Sequence, residues 1–220
     1  MDTFKENSNL LIMMSGLTGT GKSTIARHLE NNINDLIVFH SAEVRNDLNL
    51  SPEQIGGAEA NYKFSLDDTV FVENVSPKVY AEMLKRAQIE LSKSLSVILD
   101  GSFSMTWQRQ LVYDFVNKHD YPFLVLECVC ADEDEVKRRI GLRAGKKNDP
   151  LNEAAEWETY LSLKDNSDLL EQDNFAKDLK PPIVTVDTQS GSVELSGLNE
   201  GSKNSDIALG LVNLLSELYE

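Results

Sequence analysis

The sequence predicts an α/β fold in which a five-stranded parallel sheet is covered by helices on both faces. Short apolar runs recur at Leu10 to Met14, Leu36 to Phe39, Ser96 to Leu99, Phe123 to Val129 and Ile183 to Val186, near-continuous rather than alternating. Strands covered on both faces read this way. Helix-like stretches lie between successive runs, and parallel pairing needs such long crossovers. The first run also feeds directly into a Gly-rich turn, Gly16-Leu17-Thr18-Gly19-Thr20-Gly21-Lys22-Ser23-Thr24, with a helix-like segment beginning at Thr24.

Taken in order, the second run is followed by two helical segments, about Gly57 to Val72 and Pro77 to Ser94. Ser76 is a plausible N-cap for the second, with Pro77 at its first helical position and an apolar stripe at Val79, Met83, Ala87 and Leu91. Thr106 to Lys118, Asp132 to Arg143 and Leu151 to Leu170 are each polar on one side, as helices lying on a sheet are. Pro181-Pro182 ends the last of these and introduces the fifth strand. Residues 188–205, rich in Gly, Ser and Asn, read as a flexible excursion before a terminal helix from about Asp206 to Tyr219. There is no internal repeat.

The 220 residues fit one domain over 10–220, preceded by a polar tail at 1–9. No stretch approaches the roughly 18 apolar residues of a membrane span, and the tail has no leader-like apolar core, so a cytoplasmic protein is expected. A net charge of −15 disfavours nucleic acid as a partner unless Lys and Arg cluster locally; a free nucleotide needs only one cationic pocket. Cys128 and Cys130 alternate along one strand and read as buried, reduced core thiols. His28, His40 and His119 are scattered without Glu or Cys at ligand spacing, which gives a zinc site little support. Trp107 and Trp157 serve either helix packing or the rim of an acceptor pocket.

The turn at 16–24 is a complete G-x-x-x-x-G-K-S/T phosphate loop in its expected setting, strand before and helix after. Gly16, Thr18, Gly19, Thr20, Gly21 and Thr24 are expected to wrap backbone N–H groups around phosphates. Lys22 would reach the β/γ oxygens and the Ser23 hydroxyl would ligate Mg²⁺. Val97-Ile98-Leu99-Asp100-Gly101 is an apolar run closing on an acid, a Walker-B-type aspartate placed beyond the carboxyl end of its strand. Asp100 would hold the hydrated metal or accept a proton from an acceptor alcohol; its other reading is a turn or cap aspartate.

After the second run stands His40-Ser41-Ala42-Glu43-Val44-Arg45. This segment resembles the Ser-Asp-x-x-Arg pattern of the small P-loop kinases that include polynucleotide 5′-hydroxyl kinases, chloramphenicol phosphotransferases and zeta toxins. The resemblance continues through Asp100-Gly101-Ser102-Phe103 with Arg109, through Arg139 and Arg143, through Asn152-Glu153-Ala154 with Tyr160, and through Val186-Asp187-Thr188. It implies the P-loop NTPase fold with a five-stranded sheet and a hinged, Arg-bearing lid at about 140–150. It also implies ATP and Mg²⁺ as cofactors and transfer of a phosphoryl group to a hydroxyl of a small or nucleotide-like acceptor. Arg45 would hold acceptor or phosphate, Arg143 would neutralise charge on the transferred group, and Arg139 would lie on the nucleotide beside it.

The departure is Ala42, which stands where the family has its general base. A methyl group cannot accept a proton, and Glu43 is rotated about 100° further around the helix. Two functions therefore remain open on the sequence: a kinase that relies on Asp100, or a nucleotide-binding regulatory ATPase that has lost transfer.

Overall fold

The computed structural model describes residues 9–55, 68–144, 156–173, 180–198 and 203–219. Six strands form one sheet: β1 (Leu11–Ser15), β2 (Leu36–His40), β3 (Ser96–Asp100), β4 (Phe123–Val129), β5 (Ile183–Asp187) and β6 (Val193–Ser196). Their order is β2-β3-β1-β4-β5-β6, with parallel pairing throughout except for the antiparallel β5–β6 pair. The helices are α1 (Lys22–Asn32), α2 (Ser41–Leu48), α3 (Ser76–Leu91), α4 (Thr106–His119), α5 (Glu133–Ala144), α6 (Trp157–Asn166) and α7 (Lys203–Glu217).

The five expected strands are present, and the sixth corrects the reading of 188–205 as a structureless excursion. Val193 and Leu195 alternate with exposed Glu194 and Ser196, and the two apolar side chains pack on the core. A turn containing Gly191 at φ 77° brings the strand back antiparallel to β5. Ser76 is likewise no N-cap: α3 runs on without a break from a π-helical turn at Phe71–Val75, and Ser76 itself has helical angles. The expected stripe of α3 is buried along its whole length. The core of the expected lid at 145–150, Asn152-Glu153-Ala154, the first part of the helix expected from Gly57 and the tail at 1–8 lie outside the described residues.

The period of two along each strand divides the interior into two cores. Leu11, Met13, Val97, Leu99 and Val125 face α3 and α4, whereas Ile12, Met14, Ile98, Leu124, Leu126 and Cys128 face α1 and α7. Burial pushes the Cys128 thiol up to about 12, so it stays an inert packing group. Cys130 lies past the strand end and is only half-buried, contrary to the expectation of two core thiols. No helix among the described residues is long and apolar enough to cross a membrane.

Candidate functional site

The crossover after β1 leaves a turn that only glycine can make. Gly16, Gly19 and Gly21 all have positive φ, at 136°, 81° and 94°. A Cβ on Gly16 would sit 2.2 Å from the Cys128 carbonyl oxygen, and one on Gly21 would sit 3.0 Å from the Thr188 side chain. The loop is therefore pressed against β4 and the β5–β6 turn. Helix α1 then starts with no side-chain cap and no acid in its first turn, so its first N–H groups and positive end are left to an anion.

Adjacent strand ends supply the rest. In the β2–β3 register His40 is the direct partner of Asp100. His40 Nδ1 lies 2.6 Å from Asp100 Oδ2, and Ser23 Oγ donates to the same oxygen at 2.7 Å. Burial works against the Asp100 carboxylate, yet His40 and Lys22 hold it below the usual carboxylate range. Burial also works against charge on His40, and the Asp100 hydrogen bond overcomes it to hold the imidazole above the ordinary histidine range. For Lys22, burial prevails over the attraction of Asp100 and pulls the ammonium below the ordinary lysine range. Its Nζ donates to the Leu17 carbonyl at 2.7 Å.

These groups line one open cleft. Beside the phosphate-loop residues Thr18, Gly19, Gly21, Lys22 and Ser23, its lining includes Asp100, Arg143, His40, Ala42, Arg45, Phe71, Ser76, Tyr80, Ser102 and Gln108. Arg45 is only 6% exposed, held on the inward side of α2 with Val44. Arg143 is close enough to Lys22 for their charges to oppose one another.

Four residues expected at the nucleotide are not among those lining this cleft. Gly16 and Thr20 are not on the wall of this cleft; the Thr20 hydroxyl turns inward to the Leu17 carbonyl at 2.8 Å. Thr24 is exposed on α1. Arg139 donates to Glu135 at 2.7 Å and to the Thr188 hydroxyl at 2.7 Å, one helical turn short of the cleft wall reached by Arg143. Thr188 in turn donates to the Thr20 carbonyl at 2.8 Å, so Arg139 braces the outer side of the loop. Arg109 does not face the cleft either: it is buried against Asp173.

Sequence reasoning missed His40, Ser76, Tyr80 and Gln108. Tyr80 hydrogen-bonds Ser102 and the Phe103 backbone, and Gln108 donates to Ser76 Oγ at 3.3 Å. His40 had a signal: it and Asp100 both close apolar runs of adjacent strands.

A family model described as an AAA domain matches residues 11–163. No curated protein matches. Among solved structures, Chaetomium thermophilum Kti12 in complex with ADP-AlF3 aligns with a TM-score of 0.58 at 15% identity, covering 93% of this chain and 98% of that one. APE1195 aligns at 0.56 with 18% identity over 98% and 99% of the two chains. The PezAT toxin–antitoxin structure from Streptococcus pneumoniae aligns at 0.51 with 14% identity over 98% and 89%. The expected P-loop NTPase fold is the fold observed, with six strands in place of five.

Proposed function

From the premise that the chain belongs to the AAA domain family, whose model spans 11–163, we propose that it is a cytoplasmic, ATP- and Mg²⁺-dependent kinase. It transfers the γ-phosphoryl group to a hydroxyl of a small-molecule or nucleotide-like acceptor. The observation that carries this reading is that the cleft beside the phosphate loop is also lined by Arg45, Ser76, Tyr80 and Gln108, polar groups beyond those of the loop itself.

Ser23 Oγ and the Asp100 carboxylate are hard oxygen donors converging beside the loop, a donor set that suits Mg²⁺. They would hold the ion, which when bound neutralises charge on the phosphate oxygens. Lys22 and the N–H groups at the start of α1 would bind the triphosphate. Arg143 would stabilise charge on the transferred group, and Arg45 would orient the acceptor. His40 positions Asp100 through Nδ1, leaving the carboxylate fixed toward both Ser23 and the cleft. Phosphoryl transfer through a loose transition state depends chiefly on positioning and charge neutralisation, so the methyl group of Ala42 does not forbid it.

An ADP-release screen against sugars, nucleosides, antibiotics and oligonucleotides tests the proposal directly, and acceptor-stimulated release from a small molecule is the expected result. Loss of oligonucleotide binding even at low salt is expected from the charge of −15. Asp100→Asn should lower kcat by at least about 100-fold; a change below about threefold moves the role to another group. The rival reading, a regulatory ATPase, rests on Ala42. Ala42→Asp separates the two: a gain of about 10-fold or more in acceptor-dependent turnover would mean that transfer had been lost with the aspartate, whereas the kinase reading expects no such gain.

A further inference from the structure

Outside the cleft wall, a chain of side-chain bonds runs from α5 to the phosphate loop through one residue, Thr188, in the turn after β5. The Thr188 N–H extends the β4–β5 ladder by donating to the Val129 carbonyl at 2.9 Å, which fixes its backbone to the sheet. The Arg139 guanidinium grips the same residue twice, Nη1 donating to Oγ1 at 2.7 Å and Nη2 to the carbonyl at 3.1 Å. Its Nε donates to Glu135 at 2.7 Å, so every edge of the planar fork is held. Arginine can only donate, so it takes a lone pair of the Thr188 hydroxyl and leaves the hydroxyl proton for a carbonyl. The nearer of the two within reach is that of Thr20, at 2.8 Å against 3.3 Å for Val129.

The Thr20 carbonyl is one end of the peptide that leads into α1. In a trans peptide the carbonyl and the following N–H share a plane and point in opposite directions. Holding the Thr20 carbonyl on Thr188 therefore turns the Gly21 N–H away from Thr188, and of these two residues only Gly21 lines the cleft. The fit is close. A Cβ on Gly21 would stand 3.0 Å from the Thr188 methyl carbon and 3.1 Å from its hydroxyl oxygen. Helix α5 meets the loop a second time at Gly19, where a Cβ would come within 2.9 Å of Val136 and 3.0 Å of Ile140.

We propose that Thr188 is a positioning residue for the nucleotide: with Arg139 behind it, its hydroxyl holds the Thr20–Gly21 peptide so that the Gly21 N–H is aimed at a phosphate oxygen before the nucleotide arrives. This rests on the reading of 16–24 as a triphosphate site. A donor already oriented has no ordering cost left to meet at binding. Arg139 then serves the nucleotide through the loop instead of touching it, and the loop is registered to the helix that carries Arg143 into the cleft.

AMP-PNP with Mg²⁺ is titrated into the full chain by calorimetry, and amide exchange across residues 19–22 is followed in the nucleotide-free protein. Thr188→Val keeps the shape and removes the hydroxyl. It is expected to weaken AMP-PNP binding about 5-fold and to speed that exchange, whereas Thr188→Ser, which restores the hydroxyl without the methyl, should bind within about twofold of the wild type and exchange as it does. Arg139→Lys keeps the charge but loses the two-pronged grip on Thr188; at a half-buried position it serves should Thr188→Val fail to fold, and about threefold weakening is expected. Wild-type affinity and exchange in the folded Thr188→Val and Arg139→Lys proteins, or a Thr188→Ser protein as impaired as Thr188→Val, overturns the role of Thr188 while nucleotide binding by the wild type stands. A wild type that binds no AMP-PNP overturns the triphosphate reading and the proposal with it.

Discussion

Lys22→Ala should reduce kcat/KM for phosphoryl transfer by at least about 10³-fold while leaving the thermal midpoint within about 4 °C of the wild type. The two halves of this expectation have different physical origins. The ammonium stands at the head of the phosphate loop, and its Nζ donates to the Leu17 carbonyl at 2.7 Å, a bond that a phosphate oxygen can replace. Removing it takes away charge complementarity where charge develops. Stability responds otherwise, because burial pulls the Lys22 pKa down from 10.5. A lowered lysine pKa means that folding opposes its charge at any pH below the folded value, and that this opposition fades as pH rises toward the unfolded value. At neutral pH the substitution therefore relieves a desolvation cost while depriving Asp100 of one partner. Those effects have opposite signs. Activity assays paired with thermal melts check the outcome: wild-type transfer would move the donor site elsewhere, and loss of activity with a collapsed midpoint would make Lys22 structural.

Much of the proposed donor half is legible in the chain. Residues 16–24 need nothing beyond themselves, because the glycines, the lysine and the serine are consecutive and strand and helix flank them. Asp100 was legible from its place at the end of an apolar run. His40 required one further step, alignment of two runs in neighbouring parallel strands, which makes it the direct partner of Asp100. Arg139 shows the limit of spacing arguments. The i, i+4 interval places it on the same helical face as Arg143, but Glu135 and Thr188 occupy its guanidinium one turn before the cleft. Helical phase says which face a side chain shares; it does not say how far along the helix the ligand begins.

The proposed acceptor side of the cleft is less legible for a related reason. Ser76, Tyr80 and Gln108 meet only because α3 and α4 pack side by side on the same face of the sheet, a tertiary fact with no local sequence mark. Ser76 carried a misleading mark, since Ser before Pro commonly opens a helix, whereas here helical backbone already precedes it. The sixth strand was concealed by its Gly- and Ser-rich surroundings, although Val193 and Leu195 already showed the two-residue period.

Asp173→Ala should destabilise the protein by about 3–5 kcal/mol, lowering the thermal midpoint by roughly 6–20 °C in a domain of this size. Arg109 is 1% exposed, and its guanidinium donates to both Asp173 oxygens at 2.6 Å. Tyr113 adds a third bond to that carboxylate at 2.7 Å, and burial together with Asp173 keeps its hydroxyl protonated as a donor. Truncating the acid strands a cation and a hydroxyl in the interior, and the penalty for the unpaired charge exceeds anything the pair contributes over an apolar replacement. The double change Arg109→Met with Asp173→Leu should therefore regain most of the lost stability. Arg109 also donates to the Phe103 carbonyl at 2.8 Å, just beyond the Asp100 strand end, so the single variant should loosen the 101–104 turn as well. Faster amide exchange across that turn in Asp173→Ala, restored in the double variant, would tie the buried pair to the geometry of the cleft. A midpoint drop under about 3 °C would show instead that water reaches the guanidinium and screens it.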